Sequence, residues 1–173
     1  MGWHNHYNSW YEGLRLLAAV GPAGGVCGYG GGPAPVTDQR LAETFLAQRA
    51  AAPPRLASAG AGTGLYLADK GFGGASWRGH WQRDYRVAVV TPPKRNSHQP
   101  WPKELRRLAS LRQMVETVFE KLYHSFRLAG ERPHLLAGLL GRLAAKMALH
   151  NFCIYLNRLL GRPDLAFADL IAW

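Results

Sequence analysis

Cysteine is scarce in this chain: Cys27 and Cys153 lie far apart, and neither has a CxxC partner or a histidine at metal-ligand spacing. A disulfide framework needs more cysteines in a shorter chain, so we expect two reduced thiols, as in cytosolic proteins. His4 and His6 could in principle bind a metal from one strand, but no further ligands cluster near them in the sequence. A solvated pair or a pair at the edge of the core is the favoured interpretation.

Long apolar runs are also missing. No stretch approaches 18 uncharged apolar residues, and the N-terminus has no basic segment followed by an apolar one. We therefore predict neither a membrane span nor a secretory leader, and expect a protein that stays in the cytoplasm. A peripheral membrane protein is disfavoured because the sequence shows no isolated amphipathic helix with a basic face and exposed aromatic residues.

Acidic residues are few: 11 Asp and Glu stand against 21 Lys and Arg, for a net charge of +10. The excess is concentrated in residues 91–173, which carry 13 basic and 6 acidic residues. Arginine supplies most of this charge and binds phosphate oxygens through its forked guanidinium group. Nucleic acid is therefore the first expected partner, an anionic membrane surface is the second, and solvated arginine faces without a partner remain the alternative.

The 173 residues suffice for one domain with a hydrophobic core, and the pattern predicts an α/β layered domain with a helical C-terminal cover. Gly28, Gly30, Gly31 and Gly32 are interpreted as a loose strand end rather than a phosphate loop, because no Lys-Ser or Lys-Thr follows them. The predicted elements are a β-hairpin over 13–32, a helix capped by Thr37 and Asp38, a strand Leu65–Ala68, a short helix containing Trp77, Trp81 and Tyr85, a strand over 86–90, a long helix from Pro102 to about Gly130, and a helix from about His134 to Leu160.

Two acidic residues stand where catalytic carboxylates are found. Asp69 directly follows a short apolar strand, at the sheet edge where ligands bind in open α/β sheets. Glu116 lies beside the apolar stripe of the long helix, so we expect it to face the sheet, with Arg112 one turn before it. The alternatives are a turn-forming aspartate and a solvated Arg–Glu pair worth a few tenths of a kcal/mol.

The segments around these acids resemble those of bacterial insertion-sequence transposases with a DDE domain. Leu67-Ala68-Asp69-Lys70-Gly71-Phe72 resembles the family's x-ADKGY segment around the second catalytic acid, and Arg112–Phe119 resembles its R-x-x-x-E helix with the third acid. The resemblance implies a ribonuclease-H-like mixed sheet flanked by helices, DNA transposition by strand cleavage and transfer, and Mg²⁺ or Mn²⁺ as cofactor. It implies that Asp69 and Glu116 bind the metal and that Arg112 assists. Residues 1–173 would form one catalytic-domain fragment, sheet-rich over 1–93 and helical over 94–173.

The sequence departs from the family pattern in two ways. Many relatives have a tyrosine and a lysine where this chain has Ala109 and Tyr123. The family's first catalytic aspartate lies on a strand before the hairpin, but residues 1–11 contain no aspartate. We therefore expect the C-terminal part of a transposase catalytic domain, with an incomplete sheet that lacks its first strand, and an isolated chain without activity.

The implied partner is DNA at the transposon ends, in the cytoplasm at the bacterial nucleoid. A second copy of the chain or an intact transposase is a further expected partner; a membrane or a small-molecule cofactor is not. The alternative function is a catalytically inactive DNA-binding or regulatory remnant of a transposase. The residues expected to contact DNA are Lys94, Arg95, Lys103, Arg106 and Arg107 on the backbone, with Trp101 stacking or wedging at an end.

Overall fold

The computed structural model describes residues 2–4, 9–11, 13–52, 64–93, 103, 111–128, 130, 134–168 and 170. These residues include six β-strands and four α-helices, and they divide into two compact units. The first unit comprises the chain up to Leu17 together with Tyr29–Arg112. The second comprises Ala18–Gly28 together with the chain from Gln113 onward.

The N-terminal segment forms a small antiparallel pair. Strand β1 (Gly2–His4) pairs with β2 (Ser9–Tyr11), with Trp3 opposite Trp10. The sequence analysis placed no strand before residue 13, so it missed this pair. Strands of three residues are too short to show the alternation of apolar and polar residues from which strands are predicted.

The predicted hairpin is confirmed. Strand β3 (Leu14–Val20) pairs with β4 (Val26–Pro33) through a turn in which Gly24 has φ +83° and the Gly21 amide donates to the Gly25 carbonyl at 2.9 Å. Gly28, Gly30, Gly31 and Gly32 lie in β4, the last three of them near its carboxyl end, so the interpretation of these glycines as a strand end rather than a phosphate loop is confirmed. These glycines are part of a regular strand whose missing side chains leave room for the helix that follows.

Helix α1 (Asp38–Ala51) packs on that strand. Its N-cap is Thr37, as predicted, with the Thr37 hydroxyl accepting from the Arg40 amide at 3.4 Å. A Cβ on Gly32 would lie 3.4 Å from Leu41, and a Cβ on Gly30 would lie 4.0 Å from Phe45. The glycines therefore allow α1 to approach the strand closely. The buried face of the helix consists of Leu41, Ala42, Phe45 and Leu46.

A β-α-β unit follows, as the sequence predicted. Strand β5 (Gly64–Leu67), helix α2 (Ala75–Tyr85) and strand β6 (Val87–Val90) succeed one another, and the two strands pair in parallel from Gly64 opposite Val87 to Leu67 opposite Val90. Parallel neighbours need a crossover connection, which α2 provides. Asp69 thus lies just beyond the carboxyl end of β5.

The sequence predicted one mixed sheet of the ribonuclease-H type. The α/β class is confirmed, but within the described ranges the strands form three separate two-stranded sheets, β1–β2, β3–β4 and β5–β6. Hydrophobic alternation predicts that a strand exists, whereas its neighbours are chosen by contacts that are distant in sequence. The pattern therefore located the main strands without determining how they join.

The second unit is mainly helical. Helix α3 (Arg112–His124) buries Val118 and Leu122, and helix α4 (Leu136–Leu159) runs close to the predicted bounds of 134–160. After α4 the chain turns back at Gly161, which has φ +65°. The core of this unit contains Val118, Leu122, Phe126, Met147, His150, Cys153, Ile154 and Phe167. Cys153 is buried and Cys27 exposed, and the two form no disulfide with each other.

The tip of the β3–β4 hairpin is held by α4 within this second unit. The Asn151 side chain accepts from the Val26 amide at 2.8 Å and donates to the Val26 carbonyl at 2.9 Å. Buried His150 places Nε2 2.9 Å from the Gly24 carbonyl. One turn of helix thereby satisfies the backbone groups of the hairpin tip.

Candidate functional site

Asp69 begins the turn that follows β5. The turn is a single 3₁₀ turn over Lys70–Phe72, and Asp69 caps it: Asp69 Oδ1 accepts from the Lys70 amide at 2.7 Å. The Asp69 carbonyl accepts from the Phe72 amide at 3.0 Å. The Asp69 side chain is 58% exposed, and its Oδ2 makes no hydrogen bond or ion pair with any described residue. A carboxylate oxygen at the carboxyl end of a parallel strand is therefore accessible to a ligand.

Arg112, the first residue of α3, reaches this carboxylate. Its Nη1 lies 3.1 Å from Asp69 Oδ1, and its side chain is 31% exposed. The sequence paired Arg112 with Glu116 by helical spacing, but did not predict a contact with Asp69. Such an exposed pair adds less than about 1 kcal/mol to stability. Its chemical effect is to place a guanidinium, which forks onto phosphate oxygens, directly beside the acid.

Glu116 lies on the exposed side of α3 in the second unit, whereas the strand before Asp69 belongs to the first unit, so the prediction that Glu116 faces the sheet stays a prediction. The exposed residues of α3 recur at spacings of three and four through Gln113, Glu116, Glu120 and Tyr123. A residue next to an apolar stripe can lie on either side of it, because each step along a helix turns by about 100°. The predicted approach of Asp69 to Glu116 joins residues of different units and stays a prediction.

The first turn of α1 supports the Asp69 turn within the first unit. The Asp38 carboxylate lies against Gly71 so closely that a Cβ on Gly71 would overlap Asp38 Oδ2. Asp38 Oδ1 accepts from Arg15 Nη1 at 2.9 Å. The next residue, Gln39, donates from Nε2 to the Gly73 carbonyl at 3.3 Å. The sequence analysis assigned Asp38 to the helix cap alone and missed this contact.

The chain matches the model of a known protein family. The family model described as the transposase DDE domain matches residues 1–152, which is most of the chain. The chain belongs to this family. The resemblance seen around Asp69 and Glu116 is thereby confirmed, and the domain has a role in DNA transposition. Searches of the curated proteins and of the solved structures found no match.

A second polar cluster of the DDE domain joins α1 to α2. Glu43 Oε2 accepts from Trp81 Nε1 at 2.8 Å and lies 2.9 Å from His80 Nε2, and Glu43 Oε1 accepts from the Tyr85 hydroxyl at 2.5 Å. His80 Nδ1 lies 2.7 Å from Asp84 Oδ2. The sequence analysis missed this cluster. Its signal was an acid on the half-buried side of α1, which suggests a buried donor opposite it.

The cluster shifts the ionisation of its members. Burial alone would raise the pKa of Glu43, but the hydrogen bonds from Tyr85, His80 and Trp81 outweigh it and hold the pKa below its usual range. The hydrogen bond with Glu43 raises the pKa of His80 above its ordinary value. The same carboxylate raises the pKa of Tyr85 to about 12. At neutral pH the cluster therefore favours an ionised Glu43 with a neutral Tyr85.

Members of this family generally use a divalent metal. Carboxylate oxygens are the ligands that Mg²⁺ prefers, and the accessible Oδ2 of Asp69 is of that kind. Among the described residues, however, no three Asp, Glu, His or Cys side chains lie together in a way that could hold a metal ion. The donors agree with the metal in kind, but this part of the chain does not assemble a full set.

Of the predicted DNA contacts, the structure describes Lys103, which is helical and exposed. The other five, Lys94, Arg95, Trp101, Arg106 and Arg107, lie outside the described residues, and their role stays a prediction. No helix in the described ranges is long and apolar enough to cross a membrane.

Proposed function

We propose that this DDE domain binds transposon-end DNA and contributes Asp69 and Glu116 to a site for DNA strand cleavage and strand transfer. The observation that carries the proposal is the position of Asp69: an exposed carboxylate at the carboxyl end of a parallel strand, with a guanidinium 3.1 Å from one oxygen. Charge of both signs is needed where a phosphodiester is attacked. The carboxylate attracts a cation and the guanidinium attracts the phosphate.

Asp69 and Glu116 are the proposed ligands of Mg²⁺ or Mn²⁺. When bound, the metal would activate the attacking oxygen and stabilise the leaving oxygen. Arg112 is the proposed phosphate contact, because a guanidinium presents its N–H donors in a fork that matches phosphate oxygens and this one lies beside Asp69. Two carboxylates give too few anionic ligands to hold two divalent ions against their mutual repulsion, so the complete site includes a further acidic ligand.

The proposed DNA contacts are made with the backbone. Lysine and arginine bind phosphates without reading sequence, and their affinity falls steeply as salt rises. The net charge of +10 supports this proposal, as does the excess of basic residues after position 90. The residues that we assign to this surface are Lys94, Arg95, Lys103, Arg106, Arg107 and Trp101.

A second candidate function is a catalytically inactive DNA-binding or regulatory protein, acting as a dimer or with an intact transposase. The ion pair of Asp69 with Arg112 supports it, because a carboxylate that already has a cationic partner gains less from binding a metal. Both candidates require DNA binding, and they differ only in the chemistry that follows.

The deciding experiment measures DNA binding and DNA cleavage on the same samples. DNA that flanks the gene, carrying the transposon ends, is incubated with the purified chain and Mg²⁺ or Mn²⁺. Asp69→Asn and Glu116→Gln test the two acids. Glu120→Gln is the matched control, because it neutralises an exposed acid one turn further along the same face of α3.

Metal-dependent nicking that is lost in Asp69→Asn and Glu116→Gln, but kept in Glu120→Gln, supports the catalytic function. Binding without nicking, even when a transposase that lacks its own counterparts of Asp69 and Glu116 is added to supply the missing ligand, supports the regulatory function. Failure to bind DNA at low salt contradicts both.

A further inference from the structure

The turn that carries Asp69 is short and poorly held by its own bonds. Within it, the Phe72 amide donates to the Asp69 carbonyl and the Gly73 amide donates to the Lys70 carbonyl, each at 3.0 Å. A single 3₁₀ turn with two backbone bonds and an exposed first residue does not by itself keep one conformation. The Lys70 amide and Arg112 hold one oxygen of Asp69, but the position of the turn itself, and with it the direction of the carboxylate, also depends on what packs against the turn.

Two contacts from outside the turn meet it at its middle and its end, and a third orients one of them. The Asp38 carboxylate occupies the space that a side chain at position 71 would fill. Arg15 Nη1 holds the other oxygen of Asp38 at 2.9 Å, which fixes the direction of that carboxylate. Gln39 Nε2 reaches the Gly73 carbonyl at 3.3 Å. Two side chains from the first turn of α1 therefore contact the Asp69 turn, and a side chain from β3 orients one of them.

We propose that Asp38 is a positioning residue for Asp69, a role that rests on the proposed function of Asp69. The Asp38 carboxylate, oriented by Arg15 and seated in the space left by Gly71, fixes the turn so that Asp69 presents its accessible oxygen in one direction. Glycine is required at position 71 because any side chain would displace the Asp38 carboxylate.

The simpler explanation is that Asp38 only stabilises α1, since acids in the first turn of a helix interact favourably with its dipole. Thr37→Ala separates the two explanations. It removes the N-cap hydrogen bond of the same helix without touching the Asp69 turn, so it weakens α1 and leaves the turn intact.

The test uses the full chain and two nuclear magnetic resonance measurements. The first is hydrogen exchange at the Phe72 and Gly73 amides, which reports whether the turn is formed. The second is the broadening of the Asp69 and Lys70 amide signals by Mn²⁺ alone, which reports whether the Asp69 carboxylate is presented to a cation. The variants are Asp38→Ala, Asp38→Asn, Gly71→Ala and the double variant of Asp38→Ala with Gly71→Ala, and Thr37→Ala is the control.

We expect Asp38→Ala to speed exchange of the two turn amides about tenfold, because they lose an external support. It should reduce Mn²⁺ broadening at Asp69 by a similar factor. Gly71→Ala should do the same, but should add nothing in the Asp38→Ala background, where its Cβ has space. Asp38→Asn keeps the shape of the side chain against Gly71 and should restore part of both signals. Thr37→Ala should leave both signals at the wild-type level.

Unchanged exchange in Asp38→Ala, or equal effects of Asp38→Ala and Thr37→Ala on the turn, would overturn the positioning role. Independent effects of Asp38→Ala and Gly71→Ala would overturn it as well. A wild-type chain whose Asp69 signals do not respond to Mn²⁺ would instead refute the proposed metal role of Asp69, and the exchange measurements would still decide whether Asp38 positions the turn.

Discussion

Replacement of Glu43 by alanine should clearly destabilise the first unit. Glu43 is the common acceptor for Trp81, His80 and Tyr85 of α2, and its side chain is 27% exposed. Trp81 is completely buried. The carboxylate therefore satisfies a donor that water cannot reach, while also connecting α1 to the crossover helix between β5 and β6.

The cost follows from the donors left behind. Without Glu43, the buried Trp81 N–H has no acceptor, which costs about 1–3 kcal/mol. His80 and Tyr85 are partly exposed, so water replaces part of what they lose and each adds less than the Trp81 N–H. We expect Glu43→Ala to lower the free energy of unfolding by about 2–4 kcal/mol. Glu43→Gln keeps one oxygen for Trp81 but removes the charge and replaces the other acceptor with an NH₂ group, so about 1–2 kcal/mol is expected.

The assay is urea unfolding followed by far-ultraviolet circular dichroism at pH ~6, where Glu43 is ionised. Gln48→Ala is the matched control, because it truncates an exposed polar residue of the same helix and should change stability by no more than about 0.5 kcal/mol. An unfolding midpoint for Glu43→Ala equal to that of Gln48→Ala would refute the reasoning, since Trp81 would then need no acceptor.

Three further results are expected. Titration of histidine ring signals should place the pKa of His80 above 6.5, because of its hydrogen bond with Glu43, and that of His150 below 6.5, because of its burial. Charged His80 then contributes its full stability below pH 6.5, and this contribution is lost as the pH rises through the raised pKa of His80. Neutral His150 contributes its stability above pH 6.5, and this contribution is lost as the pH falls through the lowered pKa of His150. The reverse order of the two pKa values would contradict both assignments. Replacing Arg106 and Arg107 by alanine should weaken DNA binding for all sequences alike and lower its salt dependence by about one phosphate contact per residue; unchanged binding at low salt would show that the DNA surface lies elsewhere. The isolated chain should not nick transposon-end DNA with Mg²⁺ or Mn²⁺, because Asp69 and Glu116 are too few ligands; metal-dependent nicking abolished by Asp69→Asn would contradict this expectation.

Much of the secondary structure was predictable from short segments. The Thr37 cap, the apolar spacing of α1 and the glycine at position 161 lie within a few residues of the boundaries they determine. The motif around Asp69 likewise indicated the family that the comparison confirmed. The N-terminal pair β1–β2 was missed because its strands are too short to carry a pattern.

The candidate site was predictable only in its residue types. The sequence named Asp69 and Arg112 but did not bring them together, because 43 residues separate them and helical spacing reports only neighbours on the same helix. It did not predict that Glu116 is exposed, since a position beside the apolar stripe is assigned to solvent or core by what packs against the helix.

The sequence by itself determined the positions of most helices and strands, the basic charge and the DDE family, because those properties follow from local spacing, composition and a motif. Only the tertiary structure decided that Asp38 occupies the space beside Gly71 and that Glu43 serves three donors of α2. Such contacts depend on which elements meet and at what angle. The burial of distant apolar faces sets that arrangement, and no short segment of the chain encodes it.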